Sequence, residues 1–122
     1  MDGTSPAPAR TGLGTHLIID MHQARGLDDE ARIESALRAS VQAAGATLLG
    51  LHLHRFAPQG VTGVAVLAES HITVHTWPEL GFAAFDAFMC GAADPHAVVA
   101  VLSAAFETDD VRVRAFERGT RL

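Results

Sequence analysis

The sequence predicts an α+β fold: a two-layer sandwich in which a mainly antiparallel sheet carries two helices on one face. Three observations predict it. Six segments have strand texture and two have the helical repeat, in the order strand, helix, four strands, helix, strand. The central strands are separated by short turn signals, so neighbours in sequence pair antiparallel. Two helices cover only one face of such a sheet. The other face is assigned His52, His54, Thr73, His75 and Glu69, too polar for a core and too regular in period for a bare surface. It reads as a catalytic face, or as one closed by a second subunit.

Each element has its own signal. Thr15 to His22 is a first strand, with Leu17, Ile18 and Ile19 as its apolar stretch. Asp28-Asp29-Glu30 opens a helix, because acidic side chains oppose the positive end of the helix dipole. Ile33, Ala36, Leu37, Val41 and Ala44 follow the helical period, and Gly45 stops it. From Thr47 the period becomes two: Leu49, Leu51 and Leu53 are expected on one side, Gly50, His52 and His54 on the other. Pro58-Gln59-Gly60 turns the chain into a strand from Val61 to Leu67. A further strand runs from His71 to Trp77, and Pro78-Glu79-Leu80-Gly81 returns it through Phe82 to Met89. Asp94-Pro95 starts a second helix over roughly 96–106, packing Val98, Val99, Val101 and Leu102. The last strand, Val111 to Phe116, alternates Val111, Val113 and Ala115 with Arg112 and Arg114.

Length and composition bound the function. A chain of 122 residues fits one domain, expected over 13–122 after a Pro- and Ala-rich leader at 1–12 that lacks the apolar core of a signal peptide. A net charge of -5 and the absence of lysine argue against a nucleic-acid partner. No apolar run approaches the roughly 20 residues of a membrane helix, so no membrane partner is expected. Cys90 is the single cysteine, which excludes an internal disulfide and fits a cytoplasmic setting.

The most informative segment is ESHITVHTWPE, Glu69 to Glu79. Alternation sends Ile72 and Val74 toward the helices and His71, Thr73 and His75 to the opposite face. Together with FDAFMCG, ending at Cys90-Gly91, and GATLLGLHLHRFAPQGVTG upstream, the chain resembles the prokaryotic S-adenosylmethionine decarboxylase proenzymes, which are pyruvoyl-dependent, from about His16 to Arg118. The resemblance implies self-cleavage between Glu69 and Ser70 into 1–69, the beta chain, and 70–122, the alpha chain. The Ser70 hydroxyl attacks the Glu69 carbonyl, the ester eliminates, and Ser70 becomes a pyruvoyl group that binds the substrate amine as a Schiff base. His75 is implied as proton acceptor in processing, Cys90 as proton donor in catalysis, and Thr62 as the hydroxyl that supports processing. Phe56 is implied to stack on adenine and Glu79 to bind substrate. Met21, His22 and Trp77 are candidates for a second aromatic or apolar partner opposite Phe56. No metal is implied. The product is decarboxylated S-adenosylmethionine, the aminopropyl donor of spermidine synthesis.

Spacing adds a constraint. Ser70 and His75 are five residues apart, about 16 Å along an extended strand, far beyond proton-transfer reach. Either the chain folds back directly after Ser70, or His75 serves the Ser70 of a second subunit. The family resemblance points to a homodimer of processed protomers, each site taking Ser70 and Cys90 from one protomer and Phe56, Thr62, His75 and Glu79 mainly from its partner. Two other readings stand beside this one. The same pyruvoyl chemistry acts on ornithine or arginine in similar proteins. Alternatively, the His-x-His pair His52 and His54, with His75 and Glu69, forms a metal- or ligand-binding module that never cleaves.

Overall fold

The structure is a computed structural model and describes residues 12–121; the expected leader, Gly12 excepted, lies outside them. The elements are β1 (Gly14–Met21), α1 (Glu30–Ala44), β2 (Leu48–Arg55), β3 (Val61–Leu67), β4 (Ser70–Trp77), β5 (Phe82–Cys90), α2 (Ala97–Ala105) and β6 (Val111–Arg118). The predicted order and the predicted α+β class hold. All six strands form one sheet, ordered β2-β3-β4-β5-β1-β6, with every pairing antiparallel.

Local chemistry explains the boundaries. Asp29 caps α1 by accepting the Arg32 N–H, and Gly45 ends the helix in the left-handed region at φ 72°. Beyond α1, β2 to β5 form a meander whose polarity is set by the alternation of each strand. Ala65, Ile72, Val74, Phe85 and Ala87 point to one side and are buried. β1 supplies Leu17, Ile19 and Met21 to the same side. Against them pack Ile33, Leu37 and Val41 of α1, Val98 and Leu102 of α2, and Phe106 just after α2. The core therefore lies wholly between the sheet and its two helices.

Two sequence expectations need correction. Leu49 was expected to share a face with Leu51 and Leu53, but the β2–β3 register slips between Leu48 and Gly50. That bulge makes Leu49 the extra residue and leaves it 67% exposed, while Leu48, Leu51 and Leu53 pack on the core. Glu69 was expected on the polar sheet face. It lies instead in the two-residue turn between β3 and β4, where Leu67 pairs with Ser70 and Glu69 adopts φ 59°.

The bulge makes a direct prediction. Leu37→Ala should cost about 2–5 kcal/mol in urea unfolding, because it opens a cavity under the sheet. Leu49→Ala should cost within about 0.5 kcal/mol, as expected of an exposed site. A large loss at Leu49 would mean that β2 keeps a regular register.

Candidate active site

The uncovered sheet face is built from rows of side chains that the strand register aligns. One row runs His54, Thr62, His75, Ala84, Asp20 and Arg112; the next runs His52, Val64, Thr73, Asp86, Ile18 and Arg114. A third brings together Val66, His71, Phe88, His16 and Phe116, with Val66 48% and Phe116 47% exposed. The first two rows border a depression of about 350 Å³ lined by Ile18, Asp20, Thr62, Thr73, His75 and Asp86, among others.

The residues singled out in the sequence fall into two groups, at opposite ends of β4. At its start, the backbone N–H of Cys90 donates to the Ser70 hydroxyl at 3.3 Å, so Ser70 and Cys90 meet within one chain. The preceding residue, Glu69, is held in the left-handed region, a conformation that costs a residue with a Cβ some free energy. Gly14 of β1 makes room for the thiol. A Cβ there would lie 3.0 Å from the Cys90 sulfur and 2.7 Å from the Met89 carbonyl oxygen.

At the other end of β4, the Thr62 hydroxyl and the His75 Nδ1 share a hydrogen bond of 2.5 Å. The His75 ring sits 4.2 Å from Trp77 and 6.0 Å from Phe56, whose other neighbour is His54 at 4.6 Å. The loop that carries Phe56 is tied down by Asp28, which accepts the Gly60 N–H at 2.9 Å and pairs with Arg55 at 2.5 Å. Glu79 stands exposed in the 3-10 turn Pro78–Leu80 that follows Trp77. Of the candidate partners for Phe56, Met21 is fully buried in the core beneath the sheet, and His22 packs on Phe82 at 5.0 Å. Phe82 also packs on Trp77, and Trp77 is the candidate whose ring directly meets that of His75, the neighbour of Phe56.

β4 is continuous from Ser70 to Trp77. The chain does not fold back after Ser70, so the first of the two spacing alternatives is overturned. At about 3.3 Å per residue, His75 stays about 16 Å from its own Ser70.

Between the two groups lies a network that sequence reasoning missed. Asp86 of β5 accepts from His16 at 2.5 Å and from His71 at 3.0 Å on one carboxylate oxygen, and from the Thr73 hydroxyl on the other. Burial pushes the Asp86 carboxyl up, but the hydrogen bonds from Thr73, His16 and His71 outweigh it and hold the group below the usual carboxylate range. The available signal was Asp86 itself, a lone carboxylate in the apolar strand FAAFDAFMC. His16, His71 and Asp86 are the three-ligand grouping that the described residues offer a metal ion, and it includes none of His52, His54 and His75. Its hydrogen bonds argue for a network instead. Arg118 donates to the Nδ1 of His16 at 2.9 Å, so that nitrogen accepts and the Nε2 facing Asp86 carries the proton.

A family model described as S-adenosylmethionine decarboxylase matches residues 15–119, and the chain belongs to that family. Among curated relatives it is similar to the S-adenosylmethionine decarboxylase proenzyme of Methanococcus maripaludis strain C7, 46% identical over 110 residues covering 88% of this chain and 90% of the relative. It is likewise similar to the proenzyme of Synechococcus sp. strain WH7803, 53% identical over 81 residues covering 65% of this chain and 63% of the relative. The adenosylmethionine decarboxylase structure from Aquifex aeolicus superposes with a TM-score of 0.80 at 32% identity, covering 91% of this chain and 93% of that one. A Trypanosoma brucei AdoMetDC structure shares the fold at a TM-score of 0.57 and 16% identity, covering 81% of this chain and 44% of that one. No helix among the described residues is long and apolar enough to cross a membrane.

Asp86 sets a pH test. A carboxyl whose folded value is lowered adds stability that is fully present above its unfolded value, about 3.9, and is lost as pH falls through the folded value. A difference in urea midpoint between wild type and Asp86→Asn should therefore be present at about pH 5. It should shrink as the pH is taken below about 4. A difference that does not change with pH would contradict the lowered value.

Proposed function

We propose that the chain is a self-processing decarboxylase that converts S-adenosylmethionine to its decarboxylated form and CO2, using a pyruvoyl group made from its own Ser70. Family membership supports the activity. The observation that carries the residue assignment is the division of the implied site between the two ends of one straight strand.

The start of β4 has the parts that cutting requires. Ser70 follows a residue held at positive φ, and its hydroxyl is within hydrogen-bond distance of the Cys90 N–H. Attack of that hydroxyl on the Glu69 carbonyl exchanges the amide for an ester and relieves the turn that holds Glu69. The Ser70 Cα proton then leaves to a base as the ester departs as the Glu69 carboxylate, ending the beta chain at residue 69. Water and loss of ammonia complete the new terminus of the alpha chain. The pyruvoyl group supplies an electrophilic ketone that holds the substrate amine and accepts the electrons freed as CO2 leaves.

The base comes from the far end of β4. In the tautomer whose Nδ1 donates to Thr62, Nε2 keeps the lone pair that a proton acceptor needs. That nitrogen serves the Ser70 of a second copy, since its own lies five residues away along a continuous strand. Two open faces turned toward each other by a two-fold axis bring each strand start to the partner's strand end, and give two equal sites per dimer. The same closure covers Val66 and Phe116. Cys90 then donates the proton to the substrate carbon after CO2 departs. Phe56, with Trp77 in the same cluster, offers a face for adenine, and Glu79 meets the polar part of the substrate.

Complementation separates the dimer from a site built in one chain. Ser70→Ala and His75→Ala chains, each expressed alone, should stay uncut and release no CO2. Coexpressed with distinguishable tags, they should yield dimers in which the His75→Ala chain is cut by the intact His75 of its partner. Absence of any cut chain in isolated mixed dimers would overturn the shared site. The substrate assignment rests on release of CO2 from S-adenosylmethionine by the processed protein; release only from ornithine or arginine would overturn it.

A further inference from the structure

We infer that His71 is a positioning residue: its hydrogen bond to Asp86 holds the new end of the alpha chain in register with Cys90 after cutting, and so directs where the proton goes. The inference rests on the assignment of Ser70 as the source of the pyruvoyl group.

Before cutting, residue 70 is held from both sides, by the turn through Glu69 and by β4 itself. After cutting, the turn no longer restrains it. Residue 70 becomes a chain terminus, and termini fray unless something ties them down. Its direction is then set by the backbone of residue 71. His71 lies between Val66 and Phe88 in the sheet, and its Nε2 donates to the Asp86 carboxylate at 3.0 Å. Asp86 is a fixed anchor because Thr73 and His16 hold it too, and Arg118 backs His16. The His71 ring is wedged against Phe88 and His16, at 6.0 and 5.8 Å. The first side chain of the mature alpha chain is thus tied to β5, the strand that ends in Cys90.

The chemistry makes that tie consequential. When CO2 leaves, the electron pair it releases takes one proton at one of two carbons. At the substrate carbon, hydrolysis frees the decarboxylated amine and restores the ketone. At the carbon of residue 70, the amino nitrogen stays behind, residue 70 becomes alanine, and one water converts the substrate into an aldehyde. The second outcome ends activity permanently. An end that swings away from the Cys90 strand presents the wrong carbon more often.

The experiment reads the terminus as well as the rate. Purified wild type, His71→Phe and His71→Gln are first checked for cutting at 69–70. An uncut wild type would refute the Ser70 assignment itself, separately from this inference. Cut proteins are turned over on S-adenosylmethionine, and alanine termini are counted per CO2 released by Edman degradation, to which a pyruvoyl terminus is blocked. His71→Phe, which keeps a ring but no donor, should gain alanine termini about tenfold faster per turnover, the effect of losing one charge-assisted hydrogen bond. His71→Gln, whose amide restores a donor, should fall within about threefold of wild type, a difference of under one hydrogen bond. An unchanged ratio in His71→Phe, or a glutamine variant as poor as phenylalanine, overturns the inference. If His71→Phe stays uncut, the ratio is read on Asp86→Ser, and a wild-type value there also overturns it.

Discussion

The straightness of β4 is the constraint on which the rest depends. A strand advances about 3.3 Å per residue, so the five-residue step from Ser70 to His75, taken without a bend, keeps the serine and the histidine of one motif well apart. A motif that looks local in sequence is therefore split in space. Of the residues that the proposed cut involves, Ser70, against the Cys90 backbone, and Glu69, in its turn, gather at one end. His75, the Thr62 hydroxyl bonded to it and the rings of Phe56 and Trp77 gather at the other. On the proposed reading one protomer carries two half-sites, and a two-fold partner would turn them into two whole ones.

The packing leaves that face free for the purpose. Both helices lie on the same side of the sheet, and the large fully buried side chains lie between them and the strands. On the open side the half-buried carboxylate of Asp86 is satisfied from within. Burying a carboxylate is costly unless donors come with it, and Asp86 has its donors from two neighbouring strands, His16 of β1 and His71 and Thr73 of β4. The exposed apolar residues of that face, Val66 and Phe116, are area that the proposed contact would cover.

Much of the fold was legible because alternation and turn chemistry are local. The period-two runs at Ile72 and Val74 and at Phe85 and Ala87 locate the core face without any long-range information. Asp29 and Gly45 mark the ends of α1 by their own chemistry. Leu49 was not legible, since a bulge is a property of two strands and appears only when β2 is laid against β3. The two half-sites were legible through motif spacing, and the arithmetic of that spacing already demanded either a bend or a partner. The continuity of β4 removes the bend. The Asp86 network was invisible for a different reason: His16, His71, Thr73 and Asp86 come from three strands, and only the sheet register brings them together.

Mass spectrometry of the purified full-length protein tests the central claim most directly. Two fragments are predicted, one ending at Glu69 and one beginning at residue 70 with the mass of a pyruvoyl group in place of serine. A single intact chain, or two fragments in which residue 70 is still serine, would contradict the account.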